Sequence, residues 1–159
     1  MPTPDFIRTL RASAGRQLLW LPGVSAVVLD DAGRVLLGQR ADNQRWCVIS
    51  GIPDPGEQPA ECAVREVYEE TGVRCVVERI VAVRSTKEVT YPNGDRCQFM
   101  DVTVRCRAVG GEAVVGDDES LAVGWFEVDA LPPMTASQQF RIKQALSDEP
   151  TWFEPMTSE

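Results

Sequence analysis

Gly51-Ile-Pro-Asp-Pro-Gly-Glu57-Gln-Pro-Ala-Glu-Cys-Ala-Val-Arg65-Glu66-Val-Tyr-Glu69-Glu70-Thr-Gly72-Val73 is the stretch from which the rest of the chain is read. From Gly51 to Gly56 it is turn chemistry, with glycines and prolines around Asp54. A helix follows. Pro59 suits its first turn, Glu61 complements the N-terminal dipole, and Gly72 stands where a left-handed C-terminal cap belongs. At about 100° per residue, Ala60, Ala63, Val64 and Val67 share one apolar face. Glu66, Glu69 and Glu70 sit at i, i+3 and i+4 beside that face. Such crowding of like charge costs a few tenths of a kcal/mol per pair (roughly 0.2–0.5) unless something positive offsets it. Hard divalent cations take oxygen ligands, so the triple is suited to Mg²⁺ or Mn²⁺. An isolated triple reads more simply as a solvated acidic face.

This triple is not isolated. The stretch matches G-x5-E-x7-R-E-U-x-E-E-x-G-U, where U is aliphatic, at all nine defined positions. It is the Nudix box, and the chain resembles the Nudix hydrolases. Gln39-Arg40, Trp46, Glu119 and Gly124-Trp125-Phe126 extend the resemblance over roughly residues 20 to 147. It implies a single domain of the α/β (α+β) class, an α/β/α sandwich around a mixed β-sheet, with residues 1–20 and 148–159 peripheral. It also implies hydrolysis of a nucleoside diphosphate linked to another group, X. By the same resemblance Glu69 and Glu70 bind metal, Glu66 is base or metal ligand, and Glu57 and Arg65 orient the box. Ser50 lends a backbone carbonyl to the metal. Glu119 is a further ligand or base, with Asp118 its competitor. An ion pair between Glu57 and Arg65 would hold loop against helix and partly offset the glutamate repulsion. The family writes Pro-Gly-Gly at the box entrance where this chain has Ile49-Ser50-Gly51. A carbonyl ligand needs no particular side chain, so the chemistry survives this departure.

Outward from the box, Phe6 to Leu19 suits a short helix ending near Gly15, followed by a turn at Leu21-Pro22-Gly23. Val24 to Leu29 reads as a buried strand, and Val35 to Arg40 as its hairpin partner across Asp30 to Gly33. Trp46 to Ile49 is a further strand. Val73 to Val83 and Val89 to Tyr91 are β-rich, and Asn93-Gly94 suits a two-residue hairpin turn. Gln98 to Cys106 returns with Met100, Val102 and Val104 alternating against polar neighbours. Trp125-Phe126 begins a last strand, and a helix spans Ala136 to Leu146 after Leu131-Pro-Pro133. In the tail, Trp152 and Phe153 are the residues able to dock.

Composition narrows the chemistry. With 16 basic and 24 acidic residues in 159, the net charge of −8 disfavours long nucleic acid as a partner. A divalent cation lets an acidic protein handle phosphate. The absence of His removes the commonest base and transition-metal ligand. It also argues against an isopentenyl-diphosphate isomerase, a family relative that needs a His cluster. Five cysteines, Cys47, Cys62, Cys75, Cys97 and Cys106, form no C-x-x-C pair and read as reduced, mostly buried thiols of a cytoplasmic protein. No apolar run reaches membrane-spanning length.

The expected activity is therefore a Mg²⁺-dependent pyrophosphohydrolase, with Mn²⁺ able to substitute, acting on ADP-ribose, a nucleotide sugar, a dinucleoside polyphosphate or a (d)NTP. With no His, a Glu must deprotonate the attacking water; Glu66 is the first choice and Glu119 the second. Arg40, Trp46 and Tyr91 are candidates for substrate contact. Trp20 could also stack a base, and Arg84, Arg96 and Lys87 could bind phosphate. The rival is a Nudix-fold sensor that binds nucleotide without cleaving it. Many family members are homodimers, and the hairpin around Tyr91 to Asp95 offers an arm for pairing.

Overall fold

The computed structural model describes residues 4–116 and 119–155. In chain order the elements are α1 (Asp5–Ala14), β1 (Leu19–Leu29), β2 (Val35–Arg40), β3 (Trp46–Cys47), β4 (Ile49–Gly51), α2 (Pro59–Thr71), β5 (Arg74–Ser85), β6 (Val89–Thr90), β7 (Arg96–Gly110), β8 (Ser120–Phe126), α3 (Ala136–Leu146) and β9 (Trp152–Phe153). All nine strands join one mixed sheet. Its centre is β1, parallel to β7 from Leu19↔Cys97 to Leu29↔Arg107 and antiparallel to β2 and β4 on its other side.

The period of two along β1 builds the sandwich. Val24, Ala26 and Val28 point to one face and pack with Cys62, Ala63 and Val67 of α2. Val27 and Leu29 point to the other and pack with Ile142 and Ala145 of α3. A strand covered on both faces reads as a continuous apolar run, which is why Val24 to Leu29 stood out. Ile7 of α1 closes the end of the sheet against Leu21 and Cys97. All five cysteines are free thiols, and only Cys47 is less than fully buried. Among the described residues no helix is long and apolar enough to cross a membrane.

Several local expectations are corrected. Leu21-Pro22-Gly23 is not a turn but part of β1; β4 pairs only with residues 24 to 26, so Pro22 sits where β1 has a neighbour on one side, and its missing donor costs nothing there. The single strand expected over Trp46 to Ile49 splits at Val48, because β3 pairs with β2 whereas β4 pairs with β1. The reversal at Asn93-Gly94 is not a two-residue turn. Only Gly94 has positive φ (85°), and its N–H donates to the Tyr91 carbonyl (2.9 Å). Pro92 fixes φ at the second turn position and so selects an ordinary turn with a glycine bulge. Trp125-Phe126 ends β8 rather than beginning a strand. Met100 is exposed while Asp101 and Thr103 are buried, against the expected alternation. On α2, Ala60 and Val64 are exposed, and the buried face runs through Cys62, Ala63, Glu66, Val67 and Thr71.

Candidate active site

The box helix is held at both ends. Glu61 accepts from the Gln58 N–H (2.8 Å), and Gly72, at φ 70°, closes the C-terminus with its N–H on the Tyr68 carbonyl. Arg65 ties the helix to the loop before it. Its Nε and one terminal nitrogen donate to the two oxygens of Glu57, each at 2.8 Å, and Glu57 also accepts from the Asp54 N–H (3.0 Å). This two-point contact holds the Glu57 carboxyl below its ordinary range. The remaining terminal nitrogen of Arg65 reaches Glu66 Oε1 (2.7 Å) and Glu69 Oε2 (3.3 Å). One guanidinium therefore serves three carboxylates.

Glu66 lies beneath this bridge, 1% exposed. Its Oε2 is buried and has no hydrogen-bond partner. Burial pushes the carboxyl up to about 7, against the pull of Arg65. The backbone of β4 passes so close that a Cβ at Gly51 would stand 2.3 Å from the Glu66 carboxyl. Gly51 is needed for space rather than for its backbone angles.

Ser50, Glu70 and Glu119 line a common cleft of about 20 Å³ with Gly38, Arg40, Cys47, Val48 and Ser120, room for one water-sized occupant. Glu119 is anchored by its carbonyl, which accepts from the Ala41 N–H (2.7 Å). The approach to it is fastened to α2 as well. The Val114 N–H donates to the Thr71 carbonyl and the Gly116 N–H to the Glu70 carbonyl, both at 3.0 Å. A Cβ at Gly116 would stand 2.0 Å from the Glu69 carbonyl oxygen. Asp118 lies outside the described residues.

The donor chemistry suits a hard divalent cation. Every candidate ligand is oxygen, and Glu66 Oε2 is an acceptor without a donor. Among the described residues no three such side chains are already gathered around one point; Arg65 occupies the space between Glu66 and Glu69.

Of the expected substrate contacts, only Arg40 reaches the cleft, and it is held there by Asp42 through two contacts of 2.9 and 2.7 Å. Trp46 instead packs edge-on against Phe126 (4.8 Å) in the α3-side core. Tyr91 packs with the α1 cluster, where burial raises its phenol. Trp20 is 52% exposed on β1, and Arg96 pairs with Glu88. Gly116 and the buried Asp101 were missed. A glycine in a polar loop and an aspartate in a strand carry no local signal of their neighbours.

The NUDIX domain family matches residues 19–146. A MutT-like protein of Streptomyces ambofaciens is 35% identical over 106 residues, 67% of this chain and 63% of that protein, less than two thirds of its length. A putative 8-oxo-dGTP diphosphatase of Bacillus subtilis (strain 168) is 28% identical over 114 residues, 72% of this chain and 71% of that one. Among solved structures, an ADP-ribose pyrophosphatase from Streptococcus suis superposes with a TM-score of 0.61 at 26% identity, covering 84% of this chain and 95% of that one.

Proposed function

This chain belongs to the Nudix family, and from that premise we propose that it is a Mg²⁺-dependent pyrophosphohydrolase acting on a nucleoside diphosphate linked to a second moiety, X. The observation that carries the reading is Glu66. It is buried on the inner face of the helix with Cys62, Ala63, Val67 and Thr71, with one oxygen held by Arg65 and the other left without a donor. A fold keeps a costly group of this kind where a positive ligand completes it.

Glu66, Glu69 and Glu70, with Glu119 and the Ser50 carbonyl, would hold the metal. A bound Mg²⁺ would neutralise the diphosphate and lower the pKa of an attacking water. Glu66 is the proposed base, because Arg65 fixes its carboxylate on a rigid helix whereas Glu119 rides a loop. Water oxygen bonds to phosphorus, the bridging P–O bond breaks, and the proton passes to the carboxylate, leaving two phosphate-bearing products. Arg65 holds Glu66 in place and, through Glu57, fixes the loop that leads into the helix. Glu119 assists from the cleft that it lines with Glu70 and Ser50.

The charge of −8 favours small nucleotides over long RNA. A purely nucleotide-binding role is disfavoured by the complete set of box glutamates. The cytoplasm suits five free thiols. The same reading includes a homodimer, which light scattering showing a monomer would exclude. The central experiment assays the purified protein with Mg²⁺ against ADP-ribose, nucleotide sugars, dinucleoside polyphosphates and (d)NTPs. Turnover that vanishes in excess chelator and returns with Mg²⁺ or Mn²⁺ is expected. Turnover unchanged in chelator, or none on the whole panel, overturns the reading.

A further inference from the structure

On the face of the sheet opposite α2, Asp101 is 3% exposed. It accepts from Ser25 Oγ (2.7 Å), Thr103 Oγ1 (2.9 Å) and Arg141 (Nε, 3.1 Å; a terminal nitrogen, 3.1 Å). These donors fill the carboxylate. Arg84 stands across from Asp101 in the β5–β7 register and pairs with neither of its oxygens. Its guanidinium carbon lies 4.4 Å from the centre of the Phe140 ring, and a terminal nitrogen donates to Ser137 Oγ (2.5 Å) and to the Ser137 carbonyl (3.3 Å). Arg141 donates to the same Ser137 Oγ (3.0 Å).

One guanidinium therefore holds the carboxylate, and both meet on one hydroxyl. The first turn of α3, which presents that hydroxyl, contains no acidic residue. Arg84 Nε is buried and has no acceptor. In a chain of net charge −8 this is a local surplus of positive charge, built on a buried Asp101–Arg141 pair. Stacking on Phe140 fixes the Arg84 fork before any ligand arrives, which lowers the entropic cost of binding an oxyanion.

One hydrogen bond links the ledge to the wall of the cleft. Gln138, next to Ser137, accepts from the Val48 N–H (3.2 Å), and Val48 and Cys47 line the cleft beside Glu70 and Glu119. We propose that Arg84, Arg141 and Ser137 form a second anion subsite, which takes a phosphate group carried on the distal moiety X of the substrate. The assignment rests on the pyrophosphohydrolase reading and narrows its substrate class to compounds with a phosphate beyond the one attacked.

Two measurements test it separately from that reading. Chelated protein, which turns nothing over, is titrated with inorganic phosphate while the arginine Nε–Hε resonances are followed by NMR. A saturable shift of the Arg84 resonance is expected, identified by its loss in Arg84→Gln and weakened in Ser137→Ala, an exposed position that leaves the fold intact. No saturable shift in the unaltered protein, or the same shift in both variants, overturns the subsite. Steady-state kinetics then compare a dinucleoside tetraphosphate with a nucleotide sugar. Arg84→Gln should raise KM about tenfold for the former, the loss of one charge-assisted hydrogen bond, and leave the latter unchanged. An equal effect on both overturns the assignment to moiety X. If neither compound is hydrolysed, the pyrophosphohydrolase reading fails for them, while the phosphate titration still decides the subsite.

Discussion

On the α2 face one arginine serves three carboxylates; on the α3 face two arginines meet on one serine hydroxyl, and one carboxylate pairs with one of them. Both clusters leave a buried polar atom without a partner, Glu66 Oε2 in the first and Arg84 Nε in the second. They differ in sign and in what holds them. The acidic cluster sits on a helix whose neighbouring loops are tied to it by backbone hydrogen bonds. The basic one rests on side chains across three strands and a helix. A buried ionic group that served stability alone would be expected to close its own charge and donor count. On the two readings proposed above, each imbalance is where the charge of a ligand would enter.

The comparison can be broken in four ways. The largest effect belongs to the acidic cluster. Glu66→Gln should lower kcat at least a hundredfold with the fold intact, since it removes the base. Glu119→Gln should lower it less, because its carboxylate rides a loop. A greater loss at Glu119 would move the base there. Next, Arg141→Met leaves Asp101 buried without its cation and should destabilise the chain by about 3 kcal/mol in urea unfolding, with much of this recovered when Asp101→Leu is added. No recovery would mean that Arg141 acts through packing rather than charge.

Gly116→Ala is the third. The added Cβ collides with the Glu69 carbonyl oxygen and should push the loop off the end of α2. An approximately tenfold fall in kcat with little change in KM is expected, and no further fall when it is combined with Glu119→Gln. Additive losses would show that the loop does not act through Glu119. The smallest effect is in pH. Glu66 keeps its proton up to about 7 in the folded chain but only to about 4.5 when unfolded. Between those values the folded state binds more protons, so raising the pH costs stability. In chelator the melting temperature should fall by about 3 °C for each kcal/mol lost between pH 5 and 7.5. Glu66→Gln should remove that slope.

The turns at both ends of the box helix were legible in the sequence. Pro59, Glu61 and Gly72 mark its ends through local backbone chemistry, and the ends of α3 and β2 were read from neighbouring turn residues in the same way. The family resemblance rested on residue types at fixed spacing, which need no fold to be seen. The buried face of α2 was misread, because periodicity places Val64 inside and Glu66 outside, whereas a charge can be buried when Arg65 and a close-packed Gly51 surround it. Hydropathy has no term for such company.

What local patterns could not reach was pairing across distance. Pro22 reads as a turn until β7 lies beside it, and Asp101 reads as solvent-facing until Ser25, Thr103 and Arg141 arrive from β1, β7 and α3. Arg84, Arg141 and Ser137 are separated by up to 57 residues, and nothing in their spacing foretells one shared hydroxyl. Helix ends and the catalytic string were written in neighbouring residues because their physics acts over a few bonds. Burial of a charge and the meeting of two arginines depend on the field and packing of segments remote in sequence, so they came into being only with the folded sheet.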